Sequence, residues 1–99
     1  MTYPLNPSPF QHMFYVYILK SKKDHKHYID FSVDLKQRIQ KHKNGLVTSI
    51  KHRLPVELVY YEAYKSKKDA LNREKQLKRF AKAYTSLQLR INNSLMLEG

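Results

Sequence analysis

Three features of this 99-residue sequence predict a single α+β domain of element order β-β-α-β-α-α. Two short runs rich in aromatic and β-branched residues, 14–19 and 27–31, lie one polar turn apart, as in a hairpin. A third such run follows Pro55, and apolar residues at helical spacing follow the second and third runs. No internal repeat or linker-like stretch divides the chain, whose length suits one modest core.

Residues 1–12 contain Pro4, Pro7 and Pro9 and show no periodicity; a disordered leader is expected there, with the domain over 13–95 and a tail over 96–99. Phe14-Tyr15-Val16-Tyr17-Ile18-Leu19 reads as a strand buried on both faces. The polar stretch from Ser21 to Lys26 is a turn, and His27 to Phe31 is a second strand, antiparallel to the first. Tyr28 and Asp30 then share one face, because strand side chains alternate. Ser32 is expected to cap the first helix, with Asp34 favourable in its first turn. Leu35, Ile39, His42 and Leu46 form its stripe, and Asn44-Gly45 supplies the stop. A basic loop from Thr48 to Arg53 leads through Pro55 into a third strand, Val56 to Ala63. Ser66 followed by Asp69 resembles a capping box and opens a second helix, with Ala70, Leu71, Leu77 and Ala81 as its stripe. Tyr84, Leu87, Ile91 and Leu95 continue at helical spacing as a third helix.

The charge balance narrows the function. Lys and Arg number 19 against eight acids, for a net charge of +11. So large an excess on a short chain points to a polyanionic partner, either nucleic acid or an anionic membrane surface. With no cysteine, disulfides and thiolate metal sites are excluded, and a cytoplasmic location fits. The longest apolar run, Phe14 to Leu19, is far too short to cross a bilayer. Gly45 and Gly99 are the only glycines, so a Gly-rich nucleotide-cradling loop is close to excluded.

Glu74 is the most informative single residue. It falls between Ala70/Leu71 and Leu77/Ala81, in the middle of the inward stripe. A carboxylate withdrawn from water is costly unless it is paired with a base or holds a metal. Around it, Lys65, Lys67, Lys68, Arg73, Lys75, Lys78, Arg79 and Lys82 make the most basic stretch of the chain. A metal-binding acid among backbone-gripping bases suits phosphodiester cleavage, whereas a structural salt bridge from Glu74 would suit simple folding. Arg38 and His42, four apart on the first helix, are neighbours on one face. The planar guanidinium of Arg38 can receive phosphate oxygens; alternatively the pair is a solvated helix face. Tyr17 and Tyr28, on adjacent strands, meet only if they leave the same sheet face. The expected backbone contacts to nucleic acid are Lys36, Lys41, Lys51, Arg53, Arg73, Lys75 and Lys78.

Taken in order, these residues resemble the GIY-YIG nuclease domain, in particular its small stand-alone members. The first family motif corresponds to Tyr15-Val16-Tyr17 and the second to Tyr28-Ile29-Asp30. Arg38 follows within Asp34-Leu35-Lys36-Gln37-Arg38-Ile39, His42 four residues later, and then Ala70-Leu71-Asn72-Arg73-Glu74-Lys75. The resemblance implies a small three-stranded antiparallel sheet flanked by helices, and metal-dependent hydrolysis of DNA, including branched or damaged DNA. It further implies that Glu74 binds one Mg²⁺ or Mn²⁺ and that Tyr17 and Tyr28 position or deprotonate the attacking water. Arg38 would stabilise the transition state, with His42 assisting. The departure is Asp30, where the motif has glycine. An added carboxylate beside Tyr28 is expected either to repel the phosphate or to join the metal site.

Two functions therefore compete: an endonuclease, and a nucleic-acid-binding module in which Asp30 has disabled cutting. Docking on a membrane or an acidic protein is disfavoured, because the bases spread over two helices and a loop instead of one amphipathic face.

Overall fold

The computed structural model describes residues 12–97, so most of the expected leader and the end of the tail lie outside the described residues. Within them, β1 (Phe14–Ser21) and β2 (His27–Ser32) form a hairpin, followed by α1 (Leu35–Lys43), a 3-10 turn (Lys51–Arg53) and β3 (Val56–Tyr64). The chain then runs through α2 (Lys67–Arg79), α3 (Ala81–Arg90) and a short α4 (Asn92–Met96). The expected α+β order is thus present, with one extra helix. The sheet is three-stranded and wholly antiparallel in the order β2-β1-β3. As the central strand, β1 is covered on both faces, and Val16, Tyr17, Ile18 and Leu19 are all buried.

Alternation along β1 divides the core in two. On one face Val16 and Ile18 pack with Ala70, Leu77, Leu87, Ile91 and Leu95 from the three C-terminal helices. On the other, Tyr17 and Leu19 join Ile50 and Val56, with Leu35, Ile39, Val47 and Leu54 around them. The register sets Tyr17 opposite Asp30 and Leu19 opposite Tyr28, so all four side chains share this second face. In β3 Tyr60 pairs with Ile18 and Leu58 with Leu19, leaving Val59 as a bulge.

Several local expectations shift. Asp34, not Ser32, is the N-cap of α1: its carboxylate accepts the Gln37 N–H, while Ser32 Oγ accepts the N–H of Asp34. Helix α1 ends in a Schellman arrangement, with the Gly45 N–H on the His42 carbonyl and the Leu46 N–H on that of Lys41. That geometry needs a left-handed residue, supplied by Gly45 at φ +72°. It also carries Leu46 off the helical stripe, leaving it 68% exposed. Ser66 caps α2 as expected, accepting from the Asp69 N–H. Ala81, expected in α2, belongs instead to α3, because Phe80 adopts an extended conformation (φ −113°, ψ 106°) and breaks the helix. An unbroken helix would set Leu87 about 15 Å beyond Leu77 along its axis. The break brings both into one cluster. Ile91 also leaves helical geometry, at φ −110° and ψ 22°, which divides the expected third helix into α3 and α4.

Candidate active site

The second sheet face gathers most of the expected site. Tyr17, Tyr28 and His42 line a cleft of about 270 Å³ together with Asp30, Ser49 and Lys78. β1 supplies Tyr17, β2 supplies Tyr28 and Asp30, and α1 supplies His42 one helical turn beyond Arg38. The Tyr17 hydroxyl is the hub. It lies 2.8 Å from His42 Nε2, 3.3 Å from Arg38 Nε and 3.4 Å from Asp30 Oδ2. Arg38 Nη2 closes the ring on Asp30 Oδ2 at 2.9 Å. Asp30 Oδ1 accepts the Phe31 N–H at 2.8 Å.

Proton positions in this ring follow from one orphan. His42 is 3% exposed, and among the described residues its Nδ1 has no hydrogen-bond partner. A buried unpaired N–H is rarer than a buried unpaired acceptor, which places the ring proton on Nε2. His42 Nε2–H and Arg38 Nε–H then both donate to the Tyr17 oxygen, and Tyr17 donates its own proton to Asp30. Burial, the Asp30 charge and its hydrogen bond push the Tyr17 phenol far above its ordinary value of 10, against the opposing influence of Arg38. Burial, then the nearby Arg38 charge, lowers the His42 pKa and favours neutral imidazole, although Asp30 opposes this. Burial alone would raise the Asp30 carboxyl, but hydrogen bonds from Arg38 and Phe31, helped by the charges of Arg38 and Lys78, bring it below the usual range. Arg38 is stabilised as the cation by Asp30 first and Tyr17 second.

Tyr28 lines the cleft but not the ring; its hydroxyl faces Asp24 Oδ2 at 3.4 Å. Glu74 lies at the margin of the inward stripe of α2, not at its centre. At about 100° per residue it falls roughly 40° from Ala70 towards β2, whereas Arg73 falls about 60° to the other side. Ala70 and Leu77 take the buried positions, and the Glu74 side chain is 20% exposed. Its carboxylate is 3.2 Å from Lys78 Nζ, an i,i+4 pair that joins Glu74 to the cleft through Lys78.

The expected backbone-binding residues divide. Lys36, Lys41, Lys51, Lys75 and Lys78 are exposed, Lys41 beside Arg38 in a hollow next to the cleft. Arg53 pairs with Asp24 at 3.3 Å. Arg73 is committed elsewhere: its guanidinium grips both oxygens of Glu62 at 2.9–3.2 Å on the opposite face of the sheet. The expectation that Arg73 is free for nucleic acid gives way to an internal ion pair. Asp30, the departure from the motif, pairs with Arg38 at 2.9 Å. Neither pairing had a local signal, because Asp30 and Glu62 meet their arginines only through the packing of helices on strands.

Residues 13–88 match the GIY-YIG catalytic domain. The chain belongs to the GIY-YIG family. It is similar to UPF0213 proteins, at 42% identity to one from Staphylococcus saprophyticus over 69% of this chain and 83% of the relative. A relative from Clostridium perfringens is 38% identical over 88% of this chain and 92% of its own length. The solution NMR structure of a UPF0213 protein from Bacillus halodurans superposes with a TM-score of 0.51 at 30% identity, covering 80% of this chain and 84% of that one. Family membership points to nuclease activity on nucleic acid, for which GIY-YIG domains generally use a divalent metal.

Among the described residues of this GIY-YIG domain, no group of three or more His, Asp or Glu side chains forms a metal cage. A lone carboxylate nevertheless fits Mg²⁺ chemistry, since that ion commonly uses one or two carboxylates and completes its shell with waters and substrate phosphates. Glu74 meets that requirement, with Lys78 as the cation it would exchange. No helix among the described residues is long and apolar enough to cross a membrane.

Proposed function

We propose that this GIY-YIG domain is a metal-dependent endonuclease that hydrolyses phosphodiester bonds, with DNA, including branched or damaged DNA, as the favoured substrate. The observation that carries this reading is the hydrogen-bonded ring of Tyr17, Arg38 and His42 beside a cleft lined by Tyr17, His42 and Lys78, with Glu74 paired to Lys78. Arg38 stays charged and presents a planar donor set to a phosphate and to the charge that builds on it. Tyr17 positions or deprotonates the attacking water, and His42, whose Nε2 lies 2.8 Å from the phenol oxygen, fixes the phenol. Tyr28 holds the far wall of the cleft. Glu74 is the residue to hold Mg²⁺ or Mn²⁺, which would supply Lewis-acid activation of water and phosphate. Lys36, Lys41, Lys51, Lys75 and Lys78 grip the backbone, while Arg53 contributes only by leaving Asp24. The cysteine-free chain suits the cytoplasm.

A second reading, binding without cutting, draws on two observations: Asp30 occupies Arg38, and Lys78 occupies Glu74. Magnitudes favour the nuclease. Both pairs are partly exposed, and pairs of this kind contribute about 0–1 kcal/mol, the i,i+4 helix type about 0.3–0.5. A divalent ion and a phosphodiester can displace partners held that weakly. The test is a cleavage assay with Mg²⁺ and Mn²⁺ on duplex, single-stranded and branched DNA and on RNA. Cutting that Glu74→Ala abolishes supports the nuclease; cutting by Asp30→Gly alone supports the binding module.

A further inference from the structure

The position of Asp30 carries one step more, resting on the reading of Arg38 as the phosphate ligand. Asp30 stands where the family motif has glycine, and its side chain projects into the cleft opposite Tyr17. A carboxylate and a phosphate offer a guanidinium the same kind of anionic oxygen. Asp30 presents only Oδ2 to Arg38, at 2.9 Å, because Oδ1 is taken by the Phe31 N–H. The contact is therefore not the two-pronged fork that arginine makes in its strongest pairs. Both partners can be reached from solvent, at 34% and 31% exposure.

We propose that Asp30 is an internal stand-in for the substrate phosphate, holding Arg38 until a phosphodiester oxygen takes its place on the guanidinium. The surroundings of Asp30 make the exchange inexpensive. When Arg38 turns to a phosphate, Asp30 keeps the Phe31 N–H and the Tyr17 hydroxyl, and Lys78 from α2 still faces it. The carboxylate is left neither unpaired nor buried. Departure of Arg38 also frees one acceptor site on the Tyr17 oxygen, which otherwise receives both Arg38 Nε and His42 Nε2. Loading of a phosphate on Arg38 and freeing of Tyr17 for a water are then one event. The carboxylate competes with substrate, so it weakens binding while holding Arg38 beside the cleft.

The test measures binding alone, with a labelled single-stranded DNA oligonucleotide in EDTA, for the natural protein, Asp30→Asn, Arg38→Gln and the double variant. Asparagine keeps the Phe31 hydrogen bond but loses the charge that competes for Arg38, and melting curves confirm that each variant is folded. Asp30→Asn is expected to tighten binding by about two- to fivefold, the range that half-exposed ion pairs cover. In the Arg38→Gln background the same change should have much less effect, because the arginine for which Asp30 competes is gone. Equal tightening in both backgrounds would reduce Asp30 to one negative charge among many and overturn the proposal. Asp30→Asn that binds no tighter than the natural protein, or no detectable binding by either, overturns it as well. Without a divalent ion, cutting plays no part, so a protein that never cuts can still support this exchange and a protein that cuts can still refute it.

Discussion

The domain contains two carboxylate–arginine pairs on opposite faces of one sheet. Glu62 and Arg73 meet through three N–O contacts of 2.9–3.2 Å, and the hydroxyls of Tyr60 and Tyr64 also donate to Glu62. Their side chains are 14% and 26% exposed. Asp30 and Arg38 meet through one contact, twice as exposed at the carboxylate, beside a cleft. The same two chemical groups thus serve different ends. Every acceptor direction of Glu62 is used inside the protein, so Arg73 cannot leave without stranding a carboxylate near the core. Asp30 and Arg38 can part, since each has other partners or water at hand. Saturation of the carboxylate, more than the length of the ion pair, separates a structural arginine from a functional one.

The comparison can be broken most visibly at the two arginines. Arg38→Ala should lower the cleavage rate by about 10²–10³-fold, the usual loss when a donor to transition-state charge is removed, with little change in melting temperature. Arg73→Ala should do the reverse. It is expected to cost about 2–3 kcal/mol in denaturant unfolding, short of the roughly 3–5 kcal/mol for a fully buried pair because Arg73 is a quarter exposed. Equal behaviour of the two variants in both assays would erase the distinction.

Titration offers a finer separation. Burial first, and the Arg38 charge second, lower the His42 pKa from its ordinary 6.5. The unfolded chain then binds a proton before the folded one does, so the contribution of His42 to stability is full above about pH 6.5 and is lost as pH falls through the folded value. His42→Gln should flatten that part of the stability–pH curve while leaving the acid limb in place. The acid limb belongs to the carboxyls held below their ordinary range, Glu62 with Asp30 and Asp24, and Glu62 is the most enclosed of them by hydrogen-bond donors. Burial would raise its carboxyl, but Arg73, Tyr60 and Tyr64 together lower it. Its stabilisation is present above the unfolded value of about 4.3 and lost as pH falls through the folded one. Glu62→Gln should remove most of that limb, and Asp30→Asn a smaller part. The smallest effect is expected from Lys78→Ala, which should change stability by less than about 0.5 kcal/mol and tighten Mn²⁺ binding slightly, read by titration calorimetry.

Much of the fold was legible in the sequence because it rests on local signals. The run from Phe14 to Leu19 has too few polar side chains for an edge strand, and it is the central one. Ser66 and Asp69 formed the cap that their spacing suggested. The helix break at Phe80 was not legible, since neither proline nor glycine marks it and only the shared cluster of Leu77 and Leu87 explains it. The site was legible in part. The four-residue spacing put Arg38 and His42 side by side, and strand alternation put Tyr28 and Asp30 on one face; both arrangements hold. The partners of Asp30, Glu62 and Arg73 depend on how strands and helices stack, which residue spacing does not encode. For Glu74, a stripe read without helix angles placed the carboxylate at its centre, whereas it lies roughly 40° from Ala70, at the margin.

The exchange of Asp30 for a phosphate can be watched at the arginines themselves. In a ¹⁵N-labelled sample, the Nε–H resonances of Arg38 and Arg73 report on separate hydrogen bonds, to Tyr17 and to Glu62. On titration with a short DNA oligonucleotide in EDTA, the Arg38 signal should move as the guanidinium turns to phosphate, and the Arg73 signal should stay. A stationary Arg38 signal at saturating oligonucleotide would show that nucleic acid binds elsewhere and that the Asp30–Arg38 pair is as structural as its counterpart across the sheet.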